Sequence, residues 1–110
     1  MKSLIKKILK EEIEDDLEKQ IRLFLLRRGE FKTHMIGDIK LSFVIFQSDS
    51  GEWYKISDMM SKREMIFVLI NLLQEQGIID IENHNLRQKD EYRQKVVRFL
   101  RKYINDVFNT

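Results

Sequence analysis

The sequence predicts an α+β fold: a small antiparallel sheet of two or three short strands, a buried core helix and two long amphipathic terminal helices. Three observations carry this. Apolar residues recur at helical spacing near both ends of the chain. A run of alternating character, Ile39 to Phe46, stands in the middle. An almost wholly apolar segment, Met65 to Leu73, follows a helix-capping sequence. At 110 residues the chain suits a single domain with one core, and no repeat or low-complexity linker divides it.

The first helix is expected over about 4–28. Leu4, Ile5, Ile8, Leu9, Ile13, Leu17, Ile21, Phe24 and Leu25 mark its buried side. Its recurring step of four exceeds 3.6, so the stripe drifts round a straight helix, and either a partner follows it or the helix bends. Gly29 is placed to end this helix, and Arg27 and Arg28 suit the negative end of its dipole. Residues 30–38 read as a loop around Gly37. A hairpin is expected over about 39–56. Ile39, Leu41, Phe43 and Ile45 lie on one face of its first strand, and Lys40, Ser42, Val44 and Phe46 on the other. The second face turns apolar halfway, which places the strand centrally at its far end. Gln47 to Gly51 is a turn signal.

Ser61-Lys62-Arg63-Glu64 is a capping-box sequence, so the core helix is expected over about 62–76 with Gly77 as its stop. It is apolar round most of its circumference, with Asn71, Gln74 and Glu75 as a narrow polar edge. Ile78 to Ile81 reads as a short third strand. The final helix, about 86–108, carries Tyr92, Val96, Phe99, Leu100, Tyr103, Val107 and Phe108 down one side and a dense set of cations round the rest. That stripe demands a partner surface, expected to be the first helix.

The net charge of +2 conceals blocks of both signs. Residues 1–10 carry +4, 11–18 carry −6, 19–32 carry +4, 33–85 carry −4 and 86–110 carry +4. Such segregation suits pairing between segments or subunits at least as well as binding a polyanion. Cysteine is absent, which excludes disulfides, thiolate catalysis and Cys-based zinc sites and accords with a cytoplasmic location. Lys6-Lys7 interrupts any signal-peptide apolar core, and Met65 to Leu73 is too short to cross a bilayer. Alanine and proline are absent and glycine is scarce, a bias that points to an AT-rich genome.

No arrangement suggests catalysis, a cofactor or a small-molecule substrate. Glu11, Glu14, Asp15 and Glu18 share a helix face but lack the Glu-x-x-His pattern of helix-bundle metal sites, so the expectation is a solvated or salt-bridged face. His34 and His84 stand alone, without a triad pattern. The four glycines each fit a turn or helix end rather than a phosphate loop. On the final helix, Lys95, Arg98 and Lys102 lie together opposite the stripe. Glu91 four residues before Lys95, and Asp106 four after Lys102, are spaced for ion pairs. Lys2, Lys6, Lys7 and Lys10 have the wrong sign for the start of a helix, so an acidic partner is the functional reading for them. Phe67, at the edge of the core helix's polar strip, and Trp53, in the short second strand, are candidate contact residues.

The stretch Lys55 to Glu64, followed by a helix and Gln76-Gly77-Ile78-Ile79, resembles the core of a winged helix-turn-helix domain. That resemblance implies nucleic-acid binding, with Lys62 and Arg63 at the start of a recognition helix. This helix is more apolar than one that lies in a groove, and only one wing strand is visible. The leading expectation is therefore a non-enzymatic protein-interaction or assembly module that binds a protein partner or itself. Its size, charge blocks and coding bias suit a phage or mobile-element protein in the host cytoplasm. A nucleic-acid-binding module is the alternative.

Overall fold

The computed structural model describes residues 15–82 and 86–108. The order is α1 (Asp16–Arg28), β1 (Glu30–Ile36), β2 (Ile39–Gln47), β3 (Trp53–Ser57), α2 (Lys62–Glu75) and α3 (Leu86–Phe108). The three strands form one antiparallel sheet in the order β1-β2-β3, so β2 is central. The α+β architecture is as the sequence predicts.

The continuous helix expected from residue 4 does not run through Asp15, whose backbone is extended at φ −75° and ψ 172°. Its carboxylate accepts the Glu18 amide at 2.8 Å and so caps α1. Aspartate competes well for orphan amides at a helix start, and the acid run offers no cations to support a helix through this point. The part of the expected helix before Asp15, including Glu11 and Glu14, lies outside the described residues.

Residues 30–36 form β1 rather than a loop. β1 and β2 are joined by Gly37-Asp38, with Gly37 at φ 62°, and their ladder runs from Glu30↔Ile45 to Ile36↔Ile39. The turn glycine supplies the left-handed conformation that a two-residue hairpin loop needs. β2 and β3 pair from Phe43↔Ser57 to Gln47↔Trp53. The register puts Phe31, Val44, Phe46, Tyr54 and Ile56 on one face. Val44, Phe46 and Ile56 are buried there with Ile21 and Leu25 of α1, and with Met65, Ile66, Leu69, Leu72 and Leu73 of α2.

α1 packs on β2 and α2 on β3. Gly29 ends α1 as expected, and does so with ordinary backbone at φ −80°. Its requirement is spatial. A Cβ there would sit 2.7 Å from the Leu25 carbonyl oxygen, 2.9 Å from Phe46 Cε1 and 3.0 Å from Val44 Cγ1.

Ser61 caps α2 by accepting the Glu64 amide at 3.1 Å. The Glu64 carboxylate accepts from the Ser61 hydroxyl at 3.1 Å, where the capping-box reading expected it to reach the Ser61 amide. Gly77, at φ 71°, follows the helix end as expected. Residues 78–81 are not a strand. Ile79 and Ile81 are buried, which accounts for the strand-like alternation, yet the backbone donors bypass the sheet. The Ile78 and Ile79 amides go to the Leu73 carbonyl at 3.0 and 3.3 Å, and the Asp80 amide goes to the Tyr92 hydroxyl at 3.4 Å.

Val96, Leu100 and Ile104 form the buried line of α3, flanked by half-buried Tyr92, Phe99, Tyr103, Val107 and Phe108. Among the described residues this stripe packs chiefly on α2 rather than on α1; residues 4–14 of the expected first helix lie outside them. α2 has apolar groups round most of its surface, so it can serve the sheet and α3 together. The winged-helix resemblance also fails here. Lys55 to Ser57 belong to β3, residues 58–60 are a turn rather than a helix, and among the described residues no wing strand follows Gly77.

Candidate interaction surface

The remaining sheet face is defined by the same register. Its central line is Ile39, Leu41, Phe43 and Ile45 of β2. Glu30, Lys32, His34 and Ile36 of β1 flank it on one side, and Trp53, Lys55 and Ser57 of β3 on the other. The helices that build the core share the opposite face with Val44, Phe46 and Ile56. Among the described residues none of Leu41, Phe43 and Ile45 packs against that core. The strand face that is apolar throughout thus points away from the core, and the mixed face points into it. Ile36, Ile39 and Trp53 are 56%, 63% and 66% exposed, far above the core residues. Lys55 Nζ stands 5.0 Å from the centre of the Phe43 ring, so its stem and charge partly cover that ring. All of β1 is exposed, and its outer edge has no strand beside it among the described residues.

A second cluster holds the hairpin turn. Arg28 Nη2 donates to Asp49 Oδ1 at 2.6 Å, and the Asp49 amide donates to Gln76 Oε1 at 2.7 Å. Glu75 accepts from Ser48 at 3.1 Å and also from Ser50 and Tyr54. The hydrogen bond from Gln76, then the Arg28 guanidinium, hold the Asp49 carboxyl below the usual carboxylate range. Hydrogen bonds from Ser50 and Tyr54 lower Glu75, and the Glu75 carboxylate raises the Tyr54 phenol. These groups satisfy one another, and the cluster joins α1, the turn and the end of α2. Its chemistry is that of a clasp.

The basic residues separate. Lys95 forms an ion pair with Asp15, so the final helix does meet the acid block at one point. Among the described residues no ion pair joins Glu91 to Lys95 or Lys102 to Asp106, contrary to their spacing. Arg98 and Lys102 are exposed, as are Lys62 and Arg63 in the first turn of α2. Phe67 is 67% exposed on α2, and Trp53 belongs to the outer sheet face. Lys2, Lys6, Lys7, Lys10 and His84 lie outside the described residues. Sequence reasoning missed that exposed Ile36 and Ile39 and half-buried Leu41, Phe43 and Ile45 share the face turned away from the core. The signal that could have found them is Ile56: a hairpin that buries it pairs it with Val44 and turns Phe43 and Ile45 outward.

Among the described residues no group of three or more His, Cys, Asp or Glu side chains could hold a metal ion, and no helix is long and apolar enough to cross a membrane. The chain matches no family model, no curated protein and no solved structure.

Proposed function

We propose that this chain is a non-enzymatic protein-interaction or assembly module, and that its contact surface is the outer face of the sheet. The observation that carries the reading is the line of exposed Ile39 and half-buried Leu41, Phe43 and Ile45 on the face away from the core, extended by exposed Ile36 and Trp53 and bordered by charge. A contiguous apolar face that reaches solvent within a polar rim is characteristic of a docking site, and tryptophan is enriched where contacts carry binding energy. The size and charge blocks suit a small phage or mobile-element protein working in a host cytoplasm.

The test is a photo-reactive amino acid placed at Ile39 or Trp53 and, as control, at Lys102, in the cells of origin. The expected result is protein adducts of defined mass from the sheet positions and none from the control. Adducts to nucleic acid alone would overturn the reading. The rival reading, through Lys62 and Arg63, predicts duplex or single-strand binding that falls steeply with salt. No binding at low salt is the expected outcome.

A further inference from the structure

We infer that the outer sheet face is occupied by a second copy of this chain, related by a two-fold axis running roughly along β2. The inference rests on the interaction reading above and names its partner. Its basis is the order of charges across the strands. One row of the outer face reads Glu30, Ile45, Lys55: acid on the edge strand β1, apolar on the central strand, base on β3. The next row reads Lys32, Phe43, Ser57.

Two sheets packed face to face lie about 10 Å apart with strands nearly aligned. A two-fold axis along β2 keeps each row at its level and exchanges the flanks, so β1 of one copy covers β3 of the other. Ile45 then meets Ile45 and Phe43 meets Phe43. Each Glu30 faces the Lys55 of the second copy, giving two opposite-charge pairs at the rim. An axis across the strands does the reverse. It lays β1 on β1 and β3 on β3, and the outer face of β3 has no acid to meet Lys55. The charge pattern therefore selects the first arrangement.

The groups are available for this. The Glu30 side chain is 71% exposed and only 3.7 Å from Lys32 on its own strand, a loose surface pair. Lys55 is exposed and lies over Phe43, beside the line that the second copy would cover. β2 has nine residues and β3 five, so the face has a footprint of at most roughly 30 by 14 Å, below the standard size of specific interfaces, and a weak dimer at the upper end of the micromolar range is expected.

Sedimentation velocity on the purified full chain, over roughly 1–300 µM, tests this. The wild type should pass from monomer to dimer. Lys55→Glu and Glu30→Lys should each weaken the dimer about tenfold or more, by setting like charges opposite each other. The double variant should return to within about threefold of wild type, because it restores both pairs in reversed sense. It also lacks the Lys55–Phe43 contact, so recovery cannot come from that contact. Ile45→Asp should abolish the dimer, with circular dichroism confirming the fold of every variant. Lys55→Arg, which keeps the charge, should dimerise.

A wild type that stays monomeric throughout overturns the inference, and so does a double variant no better than the single ones. Cross-links from Ile39 to a different protein, with a monomeric purified chain, would end the second-copy inference and leave the interaction reading standing. Absence of any protein adduct together with a monomeric chain would end both.

Discussion

Gly29→Ala should destabilise this protein, although the same substitution at an unstrained backbone position usually stabilises. Gly29 has φ −80° and ψ 127°, which alanine adopts freely. In open space the change would add about 0.4–1 kcal/mol by reducing the freedom of the unfolded chain. Here the new methyl meets the Leu25 carbonyl oxygen at 2.7 Å and the side chains of Phe46 and Val44 at 2.9 and 3.0 Å. The carbonyl accepts the Gly29 amide at 3.0 Å, so it cannot retreat without disturbing the end of α1. Phe46 is fully buried and has little room to turn. Overpacking of this kind costs about 1–3 kcal/mol, leaving a net loss of roughly 1–2 kcal/mol. For a domain of this size each kcal/mol lowers Tm by roughly 4–8 °C. Thermal and urea unfolding followed by far-UV circular dichroism would read the change directly. In a Phe46→Leu background the cost should shrink, since one of the three obstacles is shorter. A Gly29→Ala protein as stable as the wild type, or a cost independent of residue 46, would refute the steric account.

Leu72→Ala and Leu100→Ala should each cost about 2–5 kcal/mol in urea unfolding, because both side chains are fully buried in the core. Lys95→Ala should cost only roughly 0.5–1 kcal/mol, since its pair with Asp15 is more than a third exposed on both sides. Asp15→Ala should cost roughly 1–2 kcal/mol, because it removes the α1 cap as well as the ion pair. Arg98→Glu and Lys102→Glu should change stability by less than about 0.5 kcal/mol, since both side chains are exposed. Glu75 and Asp49 titrate below their ordinary values of 4.5 and 3.8 when folded, so the unfolded chain takes up protons first as pH falls. Their stabilisation is present above those values and is lost as pH drops through the lowered folded pKa values. Urea midpoints measured down the acid limb should therefore fall, and Glu75→Gln should flatten that fall. Burial pushes the Tyr103 phenol up to about 12, so its contribution is lost on the alkaline side, above the ordinary value of 10.0. Tyr103→Phe should reduce the alkaline loss of stability.

The helices were legible in the sequence where a local rule governed them. Ser61 and Gly77 bound α2 through capping chemistry, and both act within a few residues. The strand β1 was missed because its apolar residues are few and exposed. Its signal was the Gly37-Asp38 dipeptide, a two-residue hairpin loop flanked by Ile36 and Ile39. Ile78 to Ile81 misled for the opposite reason. Its alternating burial is real, but alternation reports which side chains are inside and says nothing of where the amides bond. The partner of the α3 stripe depends on how α2 sits between the sheet and α3, a tertiary relation with no periodicity to betray it. The outer sheet face was hidden by a similar ambiguity. Both faces of β2 carry apolar groups, and only the pairing with Ile56 decides which is covered.

The exposure of β1 along its whole length has a kinetic consequence. Among the described residues the contact between Phe31 and Phe108, whose ring centres are 6.5 Å apart, ties it to the helices, and its ladder to β2 ties it to the sheet. A unit with so little buried apolar surface opens at a free energy well below that of global unfolding. Its amides should exchange with deuterium sooner than those of β3 and α2 in the free chain. An occupant of the outer face would bridge β1 to the rest of the sheet and slow that exchange selectively. Binding would then be recorded in the hydrogen-exchange lifetime of seven residues at the sheet margin.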